Sequence, residues 1–160
     1  MKYKIGKDPK IGKFVLIGCQ PRQKTKPPVI GNKANIRSHT VIYAGNIIGD
    51  NFQTGHGALI RELNTIGNDV SIGSHTVVEH HATIGNNVRI HSNVFIPEYT
   101  VLEDYVWVGP SVTFTNAKYP ASPKAKESLI GVTVKNKAKI GAGAVILHGP
   151  PSSPGWGCWA

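Results

Sequence analysis

The sequence predicts an all-β fold, a parallel β-helix built from short flat sides, and three features of the chain lead there. The first is a period of six. From Ile30 the series Ile36, Ile42, Ile48, Thr54, Ile60, Ile66, Ile72, Val78, Ile84, Ile90, Ile96, Leu102, Val108 and Phe114 keeps phase without a slip, and only Thr54 is not a large apolar residue. Neither a helix of 3.6 residues per turn nor a simple alternating strand has this period. A solenoid coil of three sides, one hexad per side, does, and it stacks each inward residue on its counterpart 18 positions on. The second feature is a small or β-branched residue four places after each apolar one, as at Ala34, Thr40, Ala58, Val70, Thr76, Ala82, Val88, Val94, Thr100, Val106 and Val112, which suits a crowded corner. The third is Gly directly after the apolar residue, at Gly31, Gly49, Gly67, Gly73, Gly85 and Gly109, expected where the chain bends tightly.

Taken in chain order, the elements form a single β-helix domain over residues 1–147. An early coil over 1–18 carries Ile5, Ile11 and Ile17. A Pro- and Lys-rich loop over 19–28 interrupts the phase, and the main coils fill 29–114. A polar excursion at about 115–133 follows, and a last coil over 134–147 resumes the phase with Val134, Ile140 and Ile146. Residues 148–160 are an atypical tail in which no hexad can be read, crowded with Pro, Trp156, Trp159 and Cys158. Interruptions in a regular solenoid are where function concentrates.

Composition limits the partners. The net charge of +9 is uneven: ten of the 18 Lys and Arg fall within the first 37 residues and six between Lys118 and Lys139. No aromatic-basic platform accompanies them, so no nucleic-acid partner is expected; anionic small molecules fit the charge better. No apolar run reaches membrane-spanning length and the N-terminus shows no leader pattern, so no membrane partner is expected. Cys19 and Cys158 form no disulfide framework, which points to a reducing, cytoplasmic setting.

Three segments carry a family resemblance: Ile84-Gly-Asn-Asn-Val-Arg-Ile90, Leu102 to Pro120 with its Val-Gly-Pro-Ser-Val-Thr-Phe-Thr-Asn core, and Ile140-Gly-Ala-Gly-Ala-Val-Ile146. Over residues 30–147 the chain resembles the hexapeptide-repeat acyltransferases, and most closely the branch that N-acetylates nucleotide-linked amino sugars. The resemblance implies a left-handed coil, since six-residue spacing by itself sets no hand. It also implies a homotrimer and acetyl-CoA bound in the groove between neighbouring prisms, with a nucleotide-sugar acceptor and no metal. Related O-acetyltransferases carry a His after the Gly-Pro hexad to activate a hydroxyl. Here Thr113 to Pro120 holds Asn116 and Tyr119 but no His, which favours an amine, a nucleophile in its own right. The expected reaction is direct attack on the thioester, with the oxyanion held near Gly109 to Ser111.

The 18-residue coil gives a way to find neighbours. Glu62, His80 and Glu98 fall on one column, where a His flanked by carboxylates is placed to accept a proton. The expected catalytic residues are therefore His80, Asn116 and Glu98. Asn93 and Glu98 match positions that the amino-sugar branch uses near its acceptor. Asn93, His56 and Glu62 are expected to bind substrate, His56 because it sits between two Gly beside Thr54, while His81 and His91 read as ordinary surface residues. Gly109, Gly141, Ala142 and Lys137 are expected to line the coenzyme, the small residues along the pantetheine arm and the Lys at the phosphates. Family members continue past Ile146 with another coil, so with the atypical tail in its place coenzyme binding is expected to be weak.

Three other readings compete. One is a sugar O-acetyltransferase. A second is a γ-class carbonic anhydrase, which shares the fold and binds zinc through three His; His39, His75 and His80 imitate its spacing. But His39 and His75 stand two coils apart, about 9–10 Å at strand spacing, whereas ligands about 2 Å from one zinc lie within about 4 Å of each other. The third is a plain scaffold, which would have no need of the 115–133 excursion.

Overall fold

The computed structural model describes residues 3–148. Each hexad contributes a two-residue strand and a four-residue corner, and the strands stack into three parallel sheets that form the flat sides of a triangular prism. Side one holds Lys4–Ile5, Val29–Ile30, Ile47–Ile48, Thr65–Ile66, Thr83–Ile84, Val101–Leu102 and Thr133–Val134. Side two holds Lys10–Ile11, Asn35–Ile36, Gln53–Thr54, Ser71–Ile72, Arg89–Ile90, Trp107–Val108 and Lys139–Ile140. Side three holds Leu16–Cys19, Val41–Tyr43, Leu59–Ile60, Val77–Val78, Phe95–Ile96, Thr113–Phe114 and Val145–Ile146. Partners are in register at 18 residues through the main coils, as in Thr65↔Thr83 and Ile66↔Ile84. This is a parallel β-helix, consistent with the left-handed form that the resemblance implies.

The second residue of each strand points inward, and from Ile30 to Phe114 every hexad residue is buried. Burying so continuous an apolar column is what holds the prism together, at about 25 cal/mol for each Å² removed from water. The one polar member is accommodated: Thr54 Oγ1 accepts the Arg37 N–H at 3.0 Å and lies 3.1 Å from Thr40 Oγ1, which in turn donates to the Gly55 carbonyl. No α-helix interrupts residues 30–114.

The corners work differently from the sequence expectation. The bend into left-handed backbone falls three residues after the inward residue, at His39, Leu63, His75, His81, Asn93 and Tyr99, for example, with φ between 56° and 64°. The Gly directly after the inward residue does not bend in this way. It is there because the next coil lies against it: a Cβ on Gly67 would stand 2.7 Å from Asn86 Oδ1, and one on Gly109 would stand 2.8 Å from the Ala142 nitrogen. Close stacking of coils, not the turn, excludes a side chain.

Two boundaries also move. Cys19 belongs to the strand Leu16–Cys19, whose register with Val41–Tyr43 shifts between Ile17 and Cys19, so the first loop covers 20–28. The excursion covers 115–132, because Thr133 pairs with Val101. It contains a 3-10 turn at Ala125–Glu127 and is tied back by the Ile130 N–H to the Asn116 carbonyl at 2.9 Å. The tail from 149 on, with Cys158, lies outside the described residues.

Candidate active site

The edge between side three and side one carries the densest chemistry. Corner residues 18 apart stack here, which puts Glu62, His80, Glu98 and Asn116 on a single column. Asn116, chosen from its motif, turns out to continue the column named by spacing. Its Nδ2 donates to Glu98 Oε2 at 2.7 Å, and Glu98 Oε1 stands 3.8 Å from His80 Nε2. His80 Nδ1 is 2.8 Å from His81 Nδ1, and the Tyr99 ring stands near both imidazoles, with centroids 6.0 and 5.6 Å away.

Beside this column runs a second one, which the sequence reading did not identify. Arg61 grips Glu62 with two hydrogen bonds, Nε to Oε2 at 2.9 Å and Nη2 to Oε1 at 3.1 Å, and reaches Glu79 Oε2 from Nη1 at 3.3 Å. Its guanidinium also lies 5.2 Å from the centre of the Tyr43 ring. Arg61 and Glu79 are 18 apart, so the arithmetic that found Glu62 and His80 could have found them one position earlier. Burial is the largest single influence on Glu62 and opposes its ionisation. The hydrogen bonds from Arg61 and its own backbone, with the charge of Arg61, together outweigh it, and the carboxyl titrates below its usual range. At Glu79 burial wins over the pull of Arg61, helped by the neighbouring charge of Glu98, and the carboxyl is pushed up. Two adjacent carboxylates thus sit in opposed environments, a pattern found at functional sites.

A buried asparagine ladder positions this edge. Asn46 and Asn64, both fully enclosed, donate from Nδ2 to the Arg61 carbonyl at 2.7 and 2.8 Å. Their Oδ1 atoms accept the N–H groups of Asn64 and Ala82 at 3.0 and 2.7 Å. The backbone from Arg61 to Asn64, and with it Glu62, is held from inside.

Within one copy the remaining expected residues lie elsewhere. His56, Asn93, Gly109, Gly141 and Ala142 all stand on the edge between sides two and three; His56 Nδ1 is 2.8 Å from Ser38 Oγ, and the Asn93 N–H donates to the Ser74 carbonyl at 2.9 Å. Lys137 is on the third edge, between sides one and two, where its neighbour Lys135 is already paired with Glu103 at 2.7 Å. A shallow cleft on that edge, lined by Lys7, Asp8, Asn32, Lys33, Asp50 and Asn51, is remote from the imidazoles, and the Asn32 and Asp50 side chains in its wall bond to each other. His39 and His75 share an edge that His80 does not, and among the described residues no three His, Cys, Asp or Glu side chains group as metal ligands. Nor is any described helix long and apolar enough to cross a membrane.

A family model described as "Bacterial transferase hexapeptide (six repeats)" matches residues 65–98, the stretch that includes His80 and Glu98. A search of curated proteins finds no match. Among solved structures the chain is similar to LpxA, a UDP-N-acetylglucosamine acyltransferase from Bacteroides fragilis, at 17% identity and a TM-score of 0.37, covering 92% of this chain and 67% of that one. The coils on either side of the matched residues 65–98 continue their register.

Proposed function

We propose that the protein transfers an acetyl group from acetyl-CoA to an amino group on a nucleotide-linked sugar. The observation that carries this reading is the column His80–Glu98–Asn116, a polar, half-exposed constellation set into transferase hexapeptide coils. Three carboxylates stand on this edge, Glu62 and Glu79 against Arg61 and Glu98 facing His80. Such an edge attracts an amine in its ammonium form, and an imidazole there can take the proton that must leave before nitrogen attacks. The absence of a His from Thr113 to Pro120 supports an amine acceptor.

We further place the site in the groove of a homotrimer. One copy presents the acid–imidazole column on one edge and His56, Asn93, Gly109, Gly141 and Ala142 on another. A neighbouring copy that packs its second edge against the first would bring the two sets together, and a closed ring would do so three times. Acetyl-CoA would then lie along Gly109, Gly141 and Ala142, with Lys137 of the third edge as the candidate for its phosphates, and the reaction would run in the cytoplasm. The two imidazoles could also serve a hydroxyl, so the test must separate the acceptors. Free-thiol release from acetyl-CoA, measured against nucleotide-linked 3-amino and 4-amino sugars and their hydroxyl counterparts, should appear with amines. Release with hydroxyl acceptors alone would sink the amine assignment. A solution mass other than that of three chains would sink the shared groove.

A further inference from the structure

We propose that His81, not His80, is the proton acceptor of this site, and that Asn116, Glu98 and His80 form the chain that fixes its tautomer. The inference rests on the acetyl-transfer reading for its role but on geometry for its chemistry. Asn116 Nδ2 donates to Glu98 Oε2 at 2.7 Å, a contact that favours the ionised carboxylate. The other oxygen of that carboxylate faces His80 Nε2 at 3.8 Å, so the neutral imidazole of His80 carries its proton on Nε2, toward the negative charge. His80 Nδ1 is then a lone pair, and the 2.8 Å contact with His81 Nδ1 needs a proton from the His81 side. His81 is left with its lone pair on Nε2, in an exposed ring.

His80 thus engages His81 through one nitrogen and turns the other toward Glu98 at 3.8 Å, while His81 offers a free base to whatever docks on the edge. The groups around the pair are Glu62, Glu79 and Glu98 with Arg61 on the neighbouring coils, Tyr99 against both rings and the Glu62 carbonyl, which accepts the His81 N–H at 3.3 Å. In the reaction the ammonium first gives one proton by way of His81 Nε2 to water, and the neutral amine nitrogen then attacks the thioester carbonyl carbon and forms the C–N bond. The nitrogen's proton passes to His81 Nε2, the tetrahedral adduct collapses with cleavage of the C–S bond, and the same proton goes to the leaving thiolate. The products are the amide and the free thiol.

Two measurements test this separately from the function. Ring-nitrogen NMR of the protein without ligand should find neutral His80 protonated on Nε2 and neutral His81 on Nδ1. The reverse pattern overturns the proposal whether or not any acceptor is acetylated. In thiol-release kinetics, His81→Asn should lower kcat/KM about 100-fold or more, the scale of general-base catalysis. Asn is well tolerated at positive φ, so this variant should keep the backbone at 59°. His80→Asn should lose less and shift the pH profile, because it frees the tautomer of His81 without removing the base. Added imidazole should restore part of the activity of His81→Gly, which a purely structural role would not allow. A His81→Asn enzyme with unchanged kcat/KM overturns the assignment. If the wild-type protein acetylates no acceptor, the functional reading falls and the NMR result alone decides the relay.

Discussion

Glu98 divides its carboxylate between an amide and an imidazole, and this makes Asn116 more than a neighbour. Without the Nδ2 donor, Glu98 has no partner on one oxygen and no reason to hold its rotamer. A hydrogen bond to a charged group contributes about 1.5–3 kcal/mol, and if half or more of that is felt in the transition state, turnover falls roughly tenfold. Asn116→Ala should therefore lower kcat by about that factor, with the circular dichroism and the oligomeric mass unchanged because the side chain is outside the core; an unaltered kcat removes Asn116 from the machinery. The column itself could be read from the sequence, since positions 62, 80, 98 and 116 differ by one coil each. What could not be read is the direction of each hydrogen bond. Spacing puts His81 beside His80 but says nothing of which nitrogen meets which, and the case for His81 depends on that.

Among the elements, the corners rather than the strands carry the polar structure. Asn64 shows how much depends on one buried amide: its Oδ1 takes the Ala82 N–H and its Nδ2 serves the Arg61 carbonyl. Asn64→Ala leaves the Ala82 N–H enclosed and unpaired, at about 1–3 kcal/mol, while the Arg61 carbonyl keeps Asn46 Nδ2, and it should lower the thermal midpoint by several degrees; an unchanged midpoint would mean that water replaces the amide. The exposed ladder responds to pH instead. Asp50 titrates low because the Asn32 N–H and then its side chain donate to it, and Glu103 because Lys135 and then the Asn136 N–H do. Glu62 is low as well. A depressed carboxyl contributes stability that is complete above its unfolded value, about 4, and lost as pH falls through the folded value. Glu79, raised by burial, runs the opposite way: its contribution is present below the unfolded value and lost as pH rises through the folded one. With three groups against one, unfolding temperatures should fall as the pH drops from about 5 to about 3, and a flat profile would contradict the ladder. The period of six made every strand from Val29 to Phe114 legible in the sequence. The glycines were not, because what excludes their Cβ is the next coil, and one hexad alone contains no trace of it.

At the scale of the whole molecule, the stacking of coils separates two glycines that were expected to share one role. Gly109 and Gly141 occupy equivalent places on the same edge, one coil apart, and both were expected to line the coenzyme. Their surroundings differ. A Cβ on Gly109 would press on the Ala142 nitrogen at 2.8 Å and the Gly141 carbonyl carbon at 2.9 Å, so the fold alone explains this residue. A Cβ on Gly141 meets nothing within 4 Å among the described residues, and its φ is not in the left-handed region. Among the described residues no coil follows this one, so Gly141 is open where Gly109 is packed, and we propose that it gives the pantetheine arm a smooth surface. Gly109→Val should lower stability by about 1–3 kcal/mol, the scale of overpacking. Gly141→Val should melt with the wild-type protein yet lose the heat of coenzyme A binding in a calorimetric titration. Equal coenzyme affinity in Gly141→Val would take Gly141 and Ala142 off the path of the pantetheine arm and leave that edge to coil stacking alone.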